Sequence, residues 1–266
     1  MANTATLEGV KNTVFFPFKG KNWGLKLLIG GALGLASLIL PFIPLIPLFG
    51  YAGRVAKRVI TQNEDPAMPD WNDWGGLFSE GIKFLGASLL YMLPGFFMMF
   101  IGYMVMFSGY FAMLFETEFL NTSQDLIPGL VFGSMAGLFV GMFLMVVGMM
   151  LLLAGGVFFA PALGHMVDRG EFVSAFQVRE WWPVFRANLS GFLLALVIFF
   201  GVYTALIWVA YIFYFTVVLC FLMPFAMMLA SFLMIVIYFS IVAVTYRDGV
   251  RRLVELREAD ALAVDP

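Results

Sequence analysis

His165 is the only histidine in the chain, and Asp168 follows it by three residues. On a helix that spacing puts both side chains on one face, where a carboxylate could hydrogen-bond the imidazole. A metal centre or an acid–base pair would want a further convergent partner, and none is evident. The ordinary role for His165 is a polar tip at an interface, because Tyr51 and Tyr246 stand at comparable places along the chain. Cys220 is single and lies inside an apolar run, which excludes a disulfide framework and a thiolate metal cluster. The 18 methionines are scattered, with pairs such as Met98-Met99 and Met149-Met150 pointing in different directions, as flexible packing against lipid requires. No catalytic residue, metal-ligand set or cofactor emerges from these groups.

Two aromatic clusters are the stronger candidates. Trp71, Trp74 and Phe78 fall at i, i+3 and i+7, so on a helix they share a face. Asp70 would cap such a short helix, with Asp73 in its first turn, although Gly75 and Gly76 weaken it. Trp181, Trp182 and Phe185 form the equivalent cluster. Rings of this kind either anchor a chain at a membrane interface or dock a partner or lipid. Asp70, Asp73 and Glu80 flank the first cluster; Arg179, Glu180 and Arg186 flank the second. Opposite signs could clasp the two together.

The surrounding composition says where these clusters sit. Of 266 residues, 62% are hydrophobic and 12% charged, about half the charge of a soluble domain, and the mean hydropathy is +0.95. Apolar runs exceed the roughly 18 residues that mark a span, so an all-α, polytopic integral membrane bundle is expected. The formal charge of −2 supplies no field for nucleic acid. Polar residues and Pro17 precede the first apolar run, so a cleavable signal is not expected and the first span would do the targeting.

In chain order, residues 1–24 are an interfacial, cytoplasmic segment that interleaves aromatics with lysines. A single transmembrane domain follows over 25–247, with apolar runs near 25–53, 82–115, 129–167, 189–211 and 224–246. Residues 248–266 form a charged cytoplasmic tail. Pro41, Pro44 and Pro47 interrupt the first run. It is either one kinked span, giving five long crossings, or a short re-entrant hairpin, giving six. The last two runs turn near Tyr211–Pro224. The Glu116–Asp125 loop is acidic, and Asn121-Thr122-Ser123 within it fits a glycosylation acceptor. An internal repeat is visible: Pro47-Leu48-Phe49-Gly50-Tyr51 matches Pro161-Ala162-Leu163-Gly164-His165, each followed by charges, two tryptophans, a phenylalanine and a new span. With a hairpin at the start, all 15 Lys and Arg fall on one face, which the positive-inside rule puts in the cytoplasm with the C-terminus.

Within the spans, ionisable groups are absent near the middles, and Glu80 and Lys83 at one end can snorkel. Small polar residues such as Ser37, Ser88, Tyr91, Ser108, Thr204, Ser231 and Ser240 could line an uncharged path or bond a neighbouring backbone. Gly95, Gly102 and Gly109 recur every seven residues, as do Gly141, Gly148 and Gly155, while Gly133, Gly137 and Gly141 recur every four. Small residues on one face let backbones approach, here between two consecutive runs or, less simply, in a homodimer.

With Gly50-Tyr51 and Pro69-x-Trp71-x-Asp73-Trp74-Gly75-x-Leu77-Phe78-x-x-Gly81, the chain resembles a prokaryotic membrane protein family catalogued as a domain of unknown function. The resemblance covers roughly residues 20–250 and implies a multi-span, cytoplasm-facing architecture in a cell membrane. It supplies no activity, substrate or catalytic residue. The expected function is a non-enzymatic membrane protein that scaffolds or assists other membrane components through a cytoplasmic aromatic collar. The alternative is a transporter or permease-like protein for a neutral or lipidic substrate. Expected partners are membrane lipids and either another membrane protein or a further copy of the chain.

Overall fold

The computed structural model describes residues 7–119, 127–215 and 221–264. Asn121-Thr122-Ser123, Asp125 and Cys220 lie outside them. The described residues are helical, without strands. The helices are α1 (Leu7–Phe15), α2 (Trp23–Ala36), α3 (Leu45–Thr61), α4 (Trp74–Phe119), α5 (Ile127–Arg169), α6 (Val178–Ala187), α7 (Leu189–Phe215) and α8 (Met223–Val264). Four of them, α4, α5, α7 and α8, are long and apolar enough to cross a membrane. At 46 residues α4 is about 69 Å long, more than twice the hydrocarbon thickness, so its ends extend beyond any single crossing.

The first apolar run is a hairpin rather than one kinked helix. Its helices α2 and α3 are separated by the turn at 37–44, where Pro41 and Pro44 withhold backbone donors and Phe42 takes a positive φ of 73°. The hairpin returns the chain to its starting level: Lys26 Nζ lies 2.7 Å from Asp70 Oδ1. Elsewhere prolines sit inside helices, Pro94 in α4, Pro161 in α5 and Pro183 in α6.

The chain divides into two compact units, residues 1–87 with 159–266, and residues 88–158. In the first, α8 is the inner helix, packed by α1, α2, α3, α6 and α7. Of its most apolar stretch 61% is buried, against 11–17% for the other three long helices. Phe232, Phe239 and Ile241 are its buried centre. Phe239 meets Phe49 and Phe84 edge-on at 5.9 and 5.6 Å, a favoured aromatic geometry. On α2, Gly30 faces the Phe232 ring so closely that a Cβ would collide with it, while Gly31 and Gly34 face Leu229 and Met228. That small-residue face admits α8, and Gly-Gly-x-x-Gly is its mark in the sequence.

The second unit is the antiparallel pair made by the inner parts of α4 and α5, and it contains no Lys or Arg. A Cβ on Gly102 would come within 2.8 Å of Gly141 O and Met145 N. One on Gly95 would meet Leu152 N at 2.7 Å, on Gly109 Ser134 O at 2.8 Å, and on Gly148 Met99 N at 2.8 Å. A Cβ on Gly141 would meet Met106 N at 2.5 Å, one on Gly155 would meet Tyr91 O at 2.5 Å, and one on Gly137 would lie 3.3 Å from Gly109 Cα. Gly133 faces open space. Seven of the eight glycines therefore line one backbone-to-backbone seam.

Leucine at Gly102 or Gly148 must push the two backbones apart, and overpacking of this kind costs about 1–3 kcal/mol. Gly102→Leu and Gly148→Leu should lower the melting temperature in detergent. Gly133→Leu and Met104→Leu should not, since both sites are exposed. Equal behaviour of the two pairs would contradict the seam.

Candidate functional site: the aromatic collar

The first collar stretch is fixed by two points where helices touch backbone to backbone. A Cβ on Gly50 of α3 would overlap the Leu77 carbonyl of α4, and one on Gly81 of α4 would overlap the Ile46 carbonyl of α3. Beside Gly50, the buried Tyr51 donates its hydroxyl to Pro69 O at 2.8 Å. Its ring stacks on Trp71 at 4.1 Å, and Trp71 stacks on Trp74 at 5.5 Å. Phe232 of α8 closes the other side, 5.6 Å from Tyr51 and 5.9 Å from Trp71. Trp71 Nε1 donates to Lys26 O at 3.2 Å.

Trp71, Trp74 and Phe78 do not share a helical face, because α4 begins at Trp74 and Trp71 belongs to the preceding turn. The capping residue is Asp73, not Asp70: Gly76 N donates to Asp73 Oδ1 at 3.0 Å, three residues on, as an N-cap carboxylate requires. Asp70 is engaged by Lys26 instead. Arg54 adds a second hold on Asp73, with Nη2 2.5 Å from Oδ2. A Cβ on Gly76 would run into both the Arg54 guanidinium and the Asp73 carboxylate, which explains a glycine at N3 in spite of its low helix propensity. The Gly76 amide first, and then Arg54, hold the Asp73 carboxyl below the usual carboxylate range; Lys26 does the same for Asp70.

The second stretch is built differently. The amphipathic α6 buries Trp181, Val184 and Phe185, and Trp181 Nε1 donates to Ala175 O at 3.1 Å. Trp181 is only 2% exposed, so it is core rather than collar surface. Trp182 is 39% exposed and lies 5.5 Å from Phe185, which packs on Phe192 at 5.4 Å. In the first stretch Trp74 and Phe78 are likewise outward, at 41% and 38%. Lys83 Nζ, 3.4 Å from Gly170 O, makes one long, exposed contact between the start of α4 and the end of α5.

The expected clasp between oppositely charged flanks does not form. Asp70 pairs with Lys26, Asp73 with Arg54, and Glu80 with Arg54 and Lys57, while Glu180 pairs with Arg169 at 3.1 Å. Local partners win because each carboxylate already has a cation on a helix packed beside it.

His165 is also not an interfacial tip. It is 4% exposed, and its partner is not the exposed Asp168 but Tyr246, with Nδ1 3.1 Å from Oη. Nε2 stands 3.3 Å from Glu180 Oε2 without hydrogen-bond alignment. Tyr246 comes this near because Gly164 leaves room for its ring. Asn188, which sequence reasoning missed, donates from Nδ2 to Thr245 O at 2.9 Å and joins the start of α7 to α8. A polar residue between an amphipathic helix and an apolar run was the available sign. Interhelical bonds of this kind contribute only about 0.6 kcal/mol on average, so packing carries the larger share. Among the described residues, no three His, Cys, Asp or Glu side chains gather as a metal site would need.

The model of the family described as "Protein of unknown function (DUF4013)" matches residues 33–221, more than half of the chain. The chain belongs to that family. The DUF4013 match takes in both collar stretches and the glycine seam, and stops short of α8. No curated protein and no solved structure matches the chain.

Asp73 is both cap and ion-pair partner, and the two roles separate by substitution. Asp73→Asn keeps a capping oxygen and loses the charge, so it should lower thermal stability less than Asp73→Ala does. Because its folded pKa is depressed, the Asp73 contribution is complete above the ordinary carboxylate range and is lost as pH falls through the folded value. The wild-type melting temperature should fall on acidification more steeply than that of Asp73→Asn; parallel profiles would remove Asp73 from the account.

Proposed function

We propose that this DUF4013 protein is a non-enzymatic integral membrane protein that scaffolds or assists other membrane components through its aromatic collar. The observation supporting this is a division between the rings. Trp71 and Trp181 are each tied by Nε1 to a backbone carbonyl, while Trp74, Phe78 and Trp182 remain outward. Outward rings beside charged helix ends suit contact with a partner or a lipid headgroup layer. A second reading, a path for a neutral or lipidic substrate, draws on Ser240 Oγ, Thr245 Oγ1 and Asn188 Oδ1, which are buried without hydrogen-bond partners.

The docking test uses the outward rings, since changing Trp71 or Trp181 would disturb packing. Trp74→Leu, Phe78→Leu and Trp182→Leu combined should leave insertion and melting temperature unchanged. Loss of a specific protein or lipid from material purified in mild detergent is the expected result. Retention of every co-purifying species would reduce the collar to an interface anchor.

We further place residues 54–80, 168–186 and 247–266 in the cytoplasm of a prokaryotic cell, from the one-sided Lys and Arg distribution. Single cysteines at Asn63, Gln177 and Ala261 in a Cys220→Ala background should resist an impermeant thiol reagent on intact cells and react after lysis. Labelling of any of the three without lysis overturns the orientation.

A further inference from the structure

We propose that a cavity between α3, the start of α4 and the end of α5 is a binding site for the headgroup of an anionic phospholipid. The inference rests on the membrane setting of the chain and is independent of Trp74, Phe78 and Trp182. The cavity has a volume of about 180 Å³, well above the roughly 10–15 Å³ that one water needs. Its floor is Phe84, Met166 and Val167, all buried. Its rim carries Lys57, Lys83 and Glu80.

Both ammonium groups are loosely held. Lys57 Nζ is 3.9 Å from Glu80 Oε1, the limit of an ion pair, and Lys83 Nζ is 3.4 Å from Gly170 O. Glu80 is shared between Lys57 and Arg54, whose guanidinium is 3.4 Å away and is itself held by Asp73, while the Lys83 ammonium has no carboxylate partner among the described ion pairs. A phosphate can therefore recruit both lysines without breaking a short contact, and charge-assisted bonds of that kind are the strong ones.

The apolar surface beside the rim decides which phosphate. Phe84, Met166 and Val167 are already buried, but Ile82, next to Lys83, is 60% exposed; the glycerol and first acyl carbons of a lipid would cover it, and a soluble anion would not. The position agrees: Lys83 lies two and a half turns into α4, about 13 Å along the axis from Trp74, and the adjacent Ile82 is exposed. Lysine stems crossing apolar surface to reach a headgroup are the usual arrangement at this depth.

The test is thermal unfolding of the full chain in neutral detergent, titrated with phosphatidylglycerol, phosphatidylcholine or sn-glycerol 3-phosphate. Phosphatidylglycerol should raise the melting temperature saturably, and the other two should not. In Lys57→Gln/Lys83→Gln the midpoint for phosphatidylglycerol should weaken about tenfold or more, while Lys19→Gln/Lys21→Gln should leave it unchanged. Equal stabilisation by phosphatidylcholine would remove the charge recognition, and equal stabilisation by glycerol phosphate would remove the lipid. An unchanged midpoint in the Lys57/Lys83 variant would remove this cavity. Lys83 is exposed, so Lys83→Gln alone serves by the same criterion if the double variant does not fold.

Discussion

At Gly50 against Leu77, and again at Gly81 against Ile46, there is no room for one methyl group between α3 and α4. Two helices that meet at their backbones have little freedom in crossing angle or register, since no side chain can adjust between them. The first collar stretch depends on that register. Tyr51 reaches Trp71 and Pro69 because it is next to Gly50, and Arg54, one turn on, reaches the cap of α4. The α2–α3 hairpin then brings Lys26 to Asp70 and its carbonyl to the Trp71 indole. A pair of glycines thus determines where two ion pairs and a stack of rings can form.

The two units solve the same packing problem in different ways. Lipid tails are as apolar as leucine, so helices in a membrane gain little from burying oily side chains against one another. Residues 88–158 rely on close backbone approach along the glycine seam and leave their large side chains, Phe97, Phe100, Phe139 and Phe143 among them, outward. The other unit encloses α8 in a shell of helices and fills the space with aromatic rings. That enclosure lets it bury polar groups such as His165, Asn188 and Thr245 at the end where charged residues gather. Exposed pairs such as Arg58–Glu64 add at most about 1 kcal/mol.

Features with a local cause were legible in the sequence. Long apolar runs, prolines in the first of them and glycines every seven residues each act over one or two turns, and the helices, the α2–α3 turn and the α4–α5 seam arise from them. Partner choice was not legible. Asp70 looked like a cap because Asp commonly caps helices, but the helix starts four residues later and Lys26, 44 residues upstream, takes its carboxylate. His165 looked interfacial by analogy with Tyr51; only the fold shows that Gly164 admits Tyr246 beside it. Helix spacing placed Trp71 with Trp74 and Phe78, and it failed because a turn, not a helix, carries Trp71.

The paired tryptophans acquire a meaning that composition alone could not supply. A buried indole needs an acceptor for its N–H, and each stretch provides one for its first ring: Lys26 O for Trp71, Ala175 O for Trp181. With that bond made, the first ring is a structural wedge and its orientation is settled. The second ring rests against the first, Trp74 at 5.5 Å from Trp71 and Trp182 at 6.2 Å from Trp181, so it stands outward at little cost in side-chain freedom. At each place, then, one ring is bonded into the helices and the other stands outward beside it.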